Sequence, residues 1–173
     1  MMALAPSRDY VTTMARYNAW MNESLYRVCA EMTEAERKKD RGGFFKSIHG
    51  VLNHLVLVDI YWLGWFTGKP PNFPLLDAEL YADFDALRAE RTRLDAAIER
   101  WAAGLTEEQL AGDVVFRSMT LKVDRKLSLW HAVIHYFNHQ THHRGQATTL
   151  LTQAGKDIGV TDLHRMPGIS VTL

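Results

Sequence analysis

Cysteine is almost missing from this chain of 173 residues. Cys29 is the only one, so no intramolecular disulfide can form and a reducing compartment is the simpler expectation. An excess of charge is missing as well. Lys plus Arg equals Asp plus Glu at 20 each, and the basic residues are scattered, which leaves no field to draw in nucleic acid or an anionic membrane. No apolar run reaches the ~18 residues of a membrane span. The nearest, VLNHLVLVDIYWLGWF (residues 51–66), carries His54 and Asp59. The opening MMALAPSRDYVTTMARYNAW lacks the basic start and continuous apolar core of a signal peptide. Internal repeats and low-complexity tracts are lacking too. These absences point to a soluble cytoplasmic protein with neither nucleic acid nor membrane as partner.

What is present fits one globular domain over residues 1–173, 47% apolar and 23% charged, with enough chain to bury a core. Ser7 is placed to cap a first helix, in which Met14, Tyr17, Met21, Leu25 and Val28 recur at three- and four-residue spacing until about Met32. The connector TEAERKKDRGG leads to a second apolar segment, residues 44–66, bounded by Gly42 and Gly43 before it and by TGKPPNFP after it. A third segment, 77–103, sets an apolar stripe of Leu80, Phe84, Leu87, Leu94, Ile98 and Trp101 against a charged face. Between Gly112 and Lys126 the period-2 pattern of GDVVFRSMTLKVDRK predicts a short hairpin. A last long helix is expected over 128–154, closed by Gly155. The fold class expected is all-α: an antiparallel four-helix bundle with a crossover between the second and third helices and a short hairpin before the last long helix.

Residues 131–146, HAVIHYFNHQTHHRGQ, hold five of the chain's eight histidines. At about 100° per residue, His139 and His143 stand roughly 40° apart on a helix, flanked by His135 and Gln146, while Trp130, Ile134, Phe137 and Thr141 fall on the other side. Two imidazoles at i and i+4 can aim nitrogens at one ion. Residue 140 is glutamine, so the glutamate base of a helical zinc-protease motif is absent. A third ligand must come from a neighbouring helix. His49 and His54 lie about 140° apart on the second segment and cannot both face one ion; His54, amid Val51, Leu57, Val58 and Tyr61, has the more interior position. His131, His142 and His164 read as surface or interface residues. The competing reading is a set of hydrogen-bonded core histidines, although two adjacent imidazoles in a core leave up to four ring nitrogens in need of partners. Cys29 and the tryptophans at 20, 62, 65, 101 and 130 read as packing residues.

Three stretches, MARYNAWMNESLY (14–26), SIHGVLNHLVLVDIYWL (47–63) and FNHQTHHRGQATTLLTQAGKDIGVTDL (137–163), resemble the DinB/YfiT-like family of small bacterial proteins. The resemblance implies a four-helix bundle, usually a homodimer, with a divalent metal held by one histidine of the second helix and an HxxxH pair of the fourth. Carried onto this sequence, those ligands fall on His54, His139 and His143. The family name is shared with a DNA polymerase, but this chain has neither a polymerase's length nor its paired catalytic carboxylates.

Three neutral histidines leave an ion its full charge and an open position, the pattern of a catalytic site. Imidazoles suit zinc or nickel best among the candidates, and Gln146 and Asn53 are placed to support the ligands by hydrogen bonds. Relatives of this kind include transferases and isomerases that use low-molecular-weight thiols such as bacillithiol or mycothiol. The first expectation is therefore a metal-dependent enzyme activating a small thiol for attack on an electrophilic small-molecule substrate. A metal-dependent hydrolase, with His135 as its spare base, and a metal-dependent stress-response binding protein without turnover are the alternatives. The middle loop TGKPPNFPLLDAEL and the hairpin are expected to cover the open end of the bundle and favour a ligand with apolar surface.

Overall fold

The computed structural model describes residues 7–72 and 78–170. It is mostly helical, with six α-helices and one two-stranded sheet among those residues: α1 (Arg8–Ala30), α2 (Glu34–Lys38), α3 (Ile48–Phe66), α4 (Phe84–Gly104), α5 (Glu107–Ala111), β1 (Asp113–Arg117), β2 (Asp124–Ser128) and α6 (Leu129–Gln153). The four long helices contact one another in a ring, α1 with α4, α4 with α3, α3 with α6 and α6 with α1.

Each helix starts where its sequence supplies a cap. Ser7, Ser47, Asp83 and Ser128 accept hydrogen bonds from the backbone N–H of Tyr10, Gly50, Ala86 and His131, satisfying donors that the first turn leaves open. Those caps correct two boundaries. The second segment begins at Ile48 rather than 44, because Lys46 sits at φ 62 and Ser47 N–H donates to Phe45 O at 2.6 Å, a turn no helix can include. The third begins at Phe84, after Asp83, rather than at 77; residues 73–77, the centre of the middle loop up to the first residue of that expected helix, lie outside the described residues. The connector TEAERKKDRGG contains a short helix, α2, and a second, α5, lies in the stretch between the third segment and the hairpin. Both carry a capping box, Thr33 with Glu36 and Thr106 with Gln109, which is a legible start signal even for one turn and a half.

The hairpin lies where the alternation predicts it. Its antiparallel register pairs Val114 with Leu127 and Phe116 with Arg125. Tyr61 Oη of α3 donates to Arg117 O, and Leu129 N–H donates to Gly112 O at 2.8 Å, so the hairpin is fastened to α3 at one end and runs directly into α6 at the other.

α3 is the central element, buried at every residue from Ile48 to Asp59 except Gly50, which is why its apolar residues show little helical periodicity. Around it pack Val11, Met21 and Leu25 of α1, Leu87, Leu94 and Ile98 of α4, and Val133, Phe137 and Leu151 of α6. Cys29 packs among them, fully buried, and burial pushes its thiol up to about 12. Of the tryptophans, Trp62 is buried and Trp20, Trp65, Trp101 and Trp130 lie partly buried against the core. No helix among the described residues is long and apolar enough to cross a membrane.

One polar knot interrupts this core. Asp59, wholly buried, pairs with Arg91, which also reaches Asp95 at 2.8 Å. Tyr136 Oη and Gln140 Nε2 each donate to Asp59 Oδ1 at 2.6 Å, and Asn22 Nδ2 donates to Asp95 Oδ1 at 2.9 Å. The knot joins all four long helices.

Candidate metal centre

α3 and α6 together build a cluster of imidazoles. The side chain of His54, buried on α3, meets those of His139 and His143, half-buried one turn apart on α6, and one ligand nitrogen from each lies within 4.8 Å of the others. The ring centroids of His54 are 5.3 Å from His139 and 4.4 Å from His143. His139 Nε2 and His143 Nε2 stand 3.1 Å apart. These are the three residues that spacing had singled out, and the structure brings them together.

The protonation chemistry of the set suits a cation. Gln146 Oε1 lies 2.8 Å from His143 Nδ1, a bond in which the ring N–H donates to the amide oxygen, so that the Nε2 lone pair faces the cluster. Burial, reinforced by the neighbouring imidazoles of His143, His54, His135 and His142, pushes His139 down to about 3 from its ordinary 6.5. Burial also lowers His143, against a small upward pull from Gln146. Both rings are therefore neutral at pH 7 with basic nitrogens converging. Tetrahedral ligands at the ~2.0–2.1 Å zinc–nitrogen distance stand about 3.3 Å apart, close to the spacing of the α6 pair. His139 Nδ1 is buried without a hydrogen-bond partner among the described residues, so no tie prevents that ring from taking either tautomer. The three-histidine group could thus hold a metal ion.

The surroundings divide into a closed side and an open one. On the closed side Phe45 stacks on His54 at 4.1 Å and meets His143 edge-on at 5.4 Å. Gly50 permits that contact: a Cβ there would stand 2.2 Å from Phe45 O, so only glycine lets the turn lie on α3. On the open side a cavity of about 430 Å³ runs from His139 and His135 of α6 across Val58, Tyr61 and Trp62 of α3 to the hairpin. Phe116, Met119, Arg125 and Leu127 form its far wall. Asp and Glu are absent from the described residues that line it.

The remaining histidines fall elsewhere. His49 is buried, but its Nε2 lies 2.8 Å from Tyr81 O, away from the cluster. His131 is exposed and bonded to Ser128 Oγ, His142 is exposed beside Gln146, and His164 is exposed in a short 3-10 turn. His135 flanks the cluster, 5.9 Å from His139 between ring centroids and 5.5 Å from Trp62; burial lowers its pKa. Of the two residues expected to support the ligands, Gln146 does so. Asn53 does not: its amide bonds Tyr81 N–H, Tyr81 O and His49 O, fixing the segment before α4. Phe45 was missed, since nothing in GGFFKS marks which aromatic turns inward. Away from the cluster on α6, Thr141 is exposed, whereas Tyr136, Gln140 and Arg144 are buried.

With this geometry in place, the comparisons are direct. The sequence profile of the DinB family matches residues 7–169. Protein DinB of Bacillus subtilis (strain 168) is 27% identical over 158 residues, 89% of this chain and 91% of that protein. The crystal structure of a DinB-like protein from Bacillus cereus ATCC 10987 superposes with a TM-score of 0.59 at 18% identity, over 82% of this chain and 90% of that one, a likeness of fold.

Proposed function

The chain belongs to the DinB family, and from that premise we propose that it is a divalent-metal-dependent enzyme that activates a low-molecular-weight thiol for transfer to an electrophile. His54, His139 and His143 hold the ion, zinc or nickel. The observation that carries this reading is the convergence of three imidazole nitrogens within 4.8 Å beside an open cavity. Held by these imidazoles, a divalent ion would keep its full charge and would supply the Lewis acidity that lowers the pKa of a thiol towards neutral.

The chain's own residues supply the rest. Burial keeps His139 neutral and so available as a ligand across the physiological range. Gln146 fixes the tautomer of His143. Phe45 shuts the closed side against water, while Trp62 and Phe116 give the electrophile an apolar seat. His135, neutral and in the cavity wall, is placed to take up the thiol proton. The same His135 favours a second reading, hydrolysis by an activated water; it ranks below thiol transfer because no carboxylate among the described residues stands in the cavity to share the work of a base. A four-helix antiparallel bundle, a homodimer and a cytoplasmic setting complete the proposal, and sedimentation of the purified protein tests the dimer.

Elemental analysis of the untagged protein is the deciding experiment, on wild type and on His54→Ala, His139→Ala, His143→Ala and His49→Ala. The expected result is one divalent ion per chain, lost in the first three variants and kept in the fourth, followed by thiol conjugation in the loaded wild type only. Wild type that takes up neither zinc nor nickel overturns the metal reading. Metal without conjugation of any physiological thiol leaves a binding protein.

A further inference from the structure

The charges of the hairpin do not cancel evenly. β1 and β2 carry Asp113, Arg117, Asp124, Arg125 and Lys126. Arg117 pairs with Asp124 at 3.2 Å and Lys126 with Asp113 at 2.7 Å. Both carboxylates are then taken, and Arg125 is left with no ion pair or hydrogen bond among the described residues. Arg125 is opposite Phe116 and two residues before Leu127, and all three line the cavity. The unpaired guanidinium of the hairpin therefore borders a cavity walled by Val58, Trp62, Phe116 and Met119; Lys126 lines it too but is tied to Asp113, and no acid stands among its described lining residues.

Such a site selects by two properties. Its aromatic and aliphatic walls take an apolar body, and its volume lies in the range of small-ligand sites, roughly 300–1,000 Å³. The low polarity of those walls strengthens the pull of one fixed cation on an anion. A guanidinium presents two parallel N–H groups that match the two oxygens of a carboxylate. Among the described lining residues Arg125 is the cation without an ion pair, Lys126 being held by Asp113, and one such charge balances a monoanion; a phosphate dianion would keep half its charge uncompensated against Trp62 and Phe116.

We propose that Arg125 is the specificity-determining residue of the cavity, and that the ligand taken there has an aromatic or branched apolar body and one carboxylate on its hairpin-facing end. The proposal rests on the thiol-transfer reading only for which end of the ligand reacts; recognition by Arg125 needs no ion.

Two probes differing in charge test this: 4-(mercaptomethyl)benzoate and its primary amide, titrated by tryptophan fluorescence and calorimetry into metal-free and zinc-loaded protein. Wild type should bind the carboxylate about 10-fold more tightly than the amide in both forms, about 1.4 kcal/mol. Arg125→Gln, on an exposed strand position, should keep its circular dichroism and amide affinity while losing the preference. Arg125→Lys should keep part of it, since a point charge lacks the fork. Equal affinity of the two probes for wild type, a preference that survives Arg125→Gln, or no binding of either probe overturns the proposal. Zinc separates it from the functional reading: a preference without any zinc-dependent gain would sink the metal reading alone, and a zinc-dependent gain without a preference would sink this proposal alone.

Discussion

Helices α3 and α6 face each other across two polar clusters, and the two are built on opposite plans. In one, Asp59 of α3 meets Tyr136 and Gln140 of α6, and Arg91 and Asp95 close the set. Charges there alternate in sign and lie buried. In the other, His54 of α3 meets His139 and His143 of α6, burial holds both α6 rings neutral, no acid stands among the described residues lining the adjoining cavity, and that cavity leads to solvent. A one-residue step along α6, from His139 to Gln140, separates the two. A cluster whose hydrogen-bonding and charge are spent inside the protein fixes the positions of helices; one that converges ring nitrogens beside an open cavity is available to a ligand.

The sharpest way to break that contrast is to truncate one member of each in metal-free protein. Arg91→Ala strands the buried carboxylate of Asp59 and should cost about 3–5 kcal/mol in urea unfolding. His139→Ala removes one of several neutral rings beside an open cavity and should cost under about 1 kcal/mol, the scale of a partly exposed substitution away from the packed core. Comparable losses in the two variants would mean that the imidazoles are as structural as the ion pairs.

Zinc should then narrow the gap. An ion that binds only the folded state stabilises it by about 2.7 kcal/mol at a concentration 100 times its Kd. That gain is expected in wild type and in His49→Ala, and absent in His54→Ala and His143→Ala. Thermal unfolding with and without zinc measures it.

How much of this was readable beforehand follows the same division. The three histidines were legible because a helix places i and i+4 together whatever surrounds it, so two ligands required only the period of α6. The long helices announced themselves through apolar spacing, and the hairpin through alternation. The knot around Asp59 and Arg91 was not legible. Each partner comes from a different helix, and an arginine on a charged helix looks like a solvated residue until the crossing of α3 and α4 buries it. Asp59 itself was the one signal, a carboxylate in an otherwise apolar run. The inward turn of Phe45 depends on Gly50 and on the backbone at Lys46, neither of which has a pattern of its own in the sequence.

The two clusters should also answer pH with opposite signs. His139 lies near 3 in the folded metal-free chain and at an ordinary 6.5 when unfolded, so the unfolded state binds the extra proton and stability falls as pH drops from 6.5 towards 3. Asp95 runs the other way. Burial, opposed by Arg91 and Asn22, raises it to about 6 from 3.8, so the folded state holds the extra proton and stability falls as pH rises through the window from 4 to 6. Unfolding curves of His139→Gln and Asp95→Asn should therefore tilt in opposite directions relative to wild type over that window. Parallel tilts would show that one field, rather than two separate clusters, governs both groups.

The smallest difference lies within the histidine cluster. Gln146 touches His143 directly, with 2.8 Å between Oε1 and Nδ1, whereas Asn53, next to His54 in the chain, spends its amide on Tyr81 and His49. Gln146→Ala frees the His143 ring to turn and to put its proton on the nitrogen that faces the cluster, so zinc affinity should fall about 10-fold, about 1.4 kcal/mol, as for other partners of ligating histidines. Asn53→Ala should loosen the segment leading into α4 and lower stability while leaving zinc affinity within about twofold of wild type. Competition against a chromogenic chelator resolves the two. Equal losses of affinity would mean that α3 positions His54 through Asn53 after all, and that support for the cluster comes from both helices instead of α6 alone.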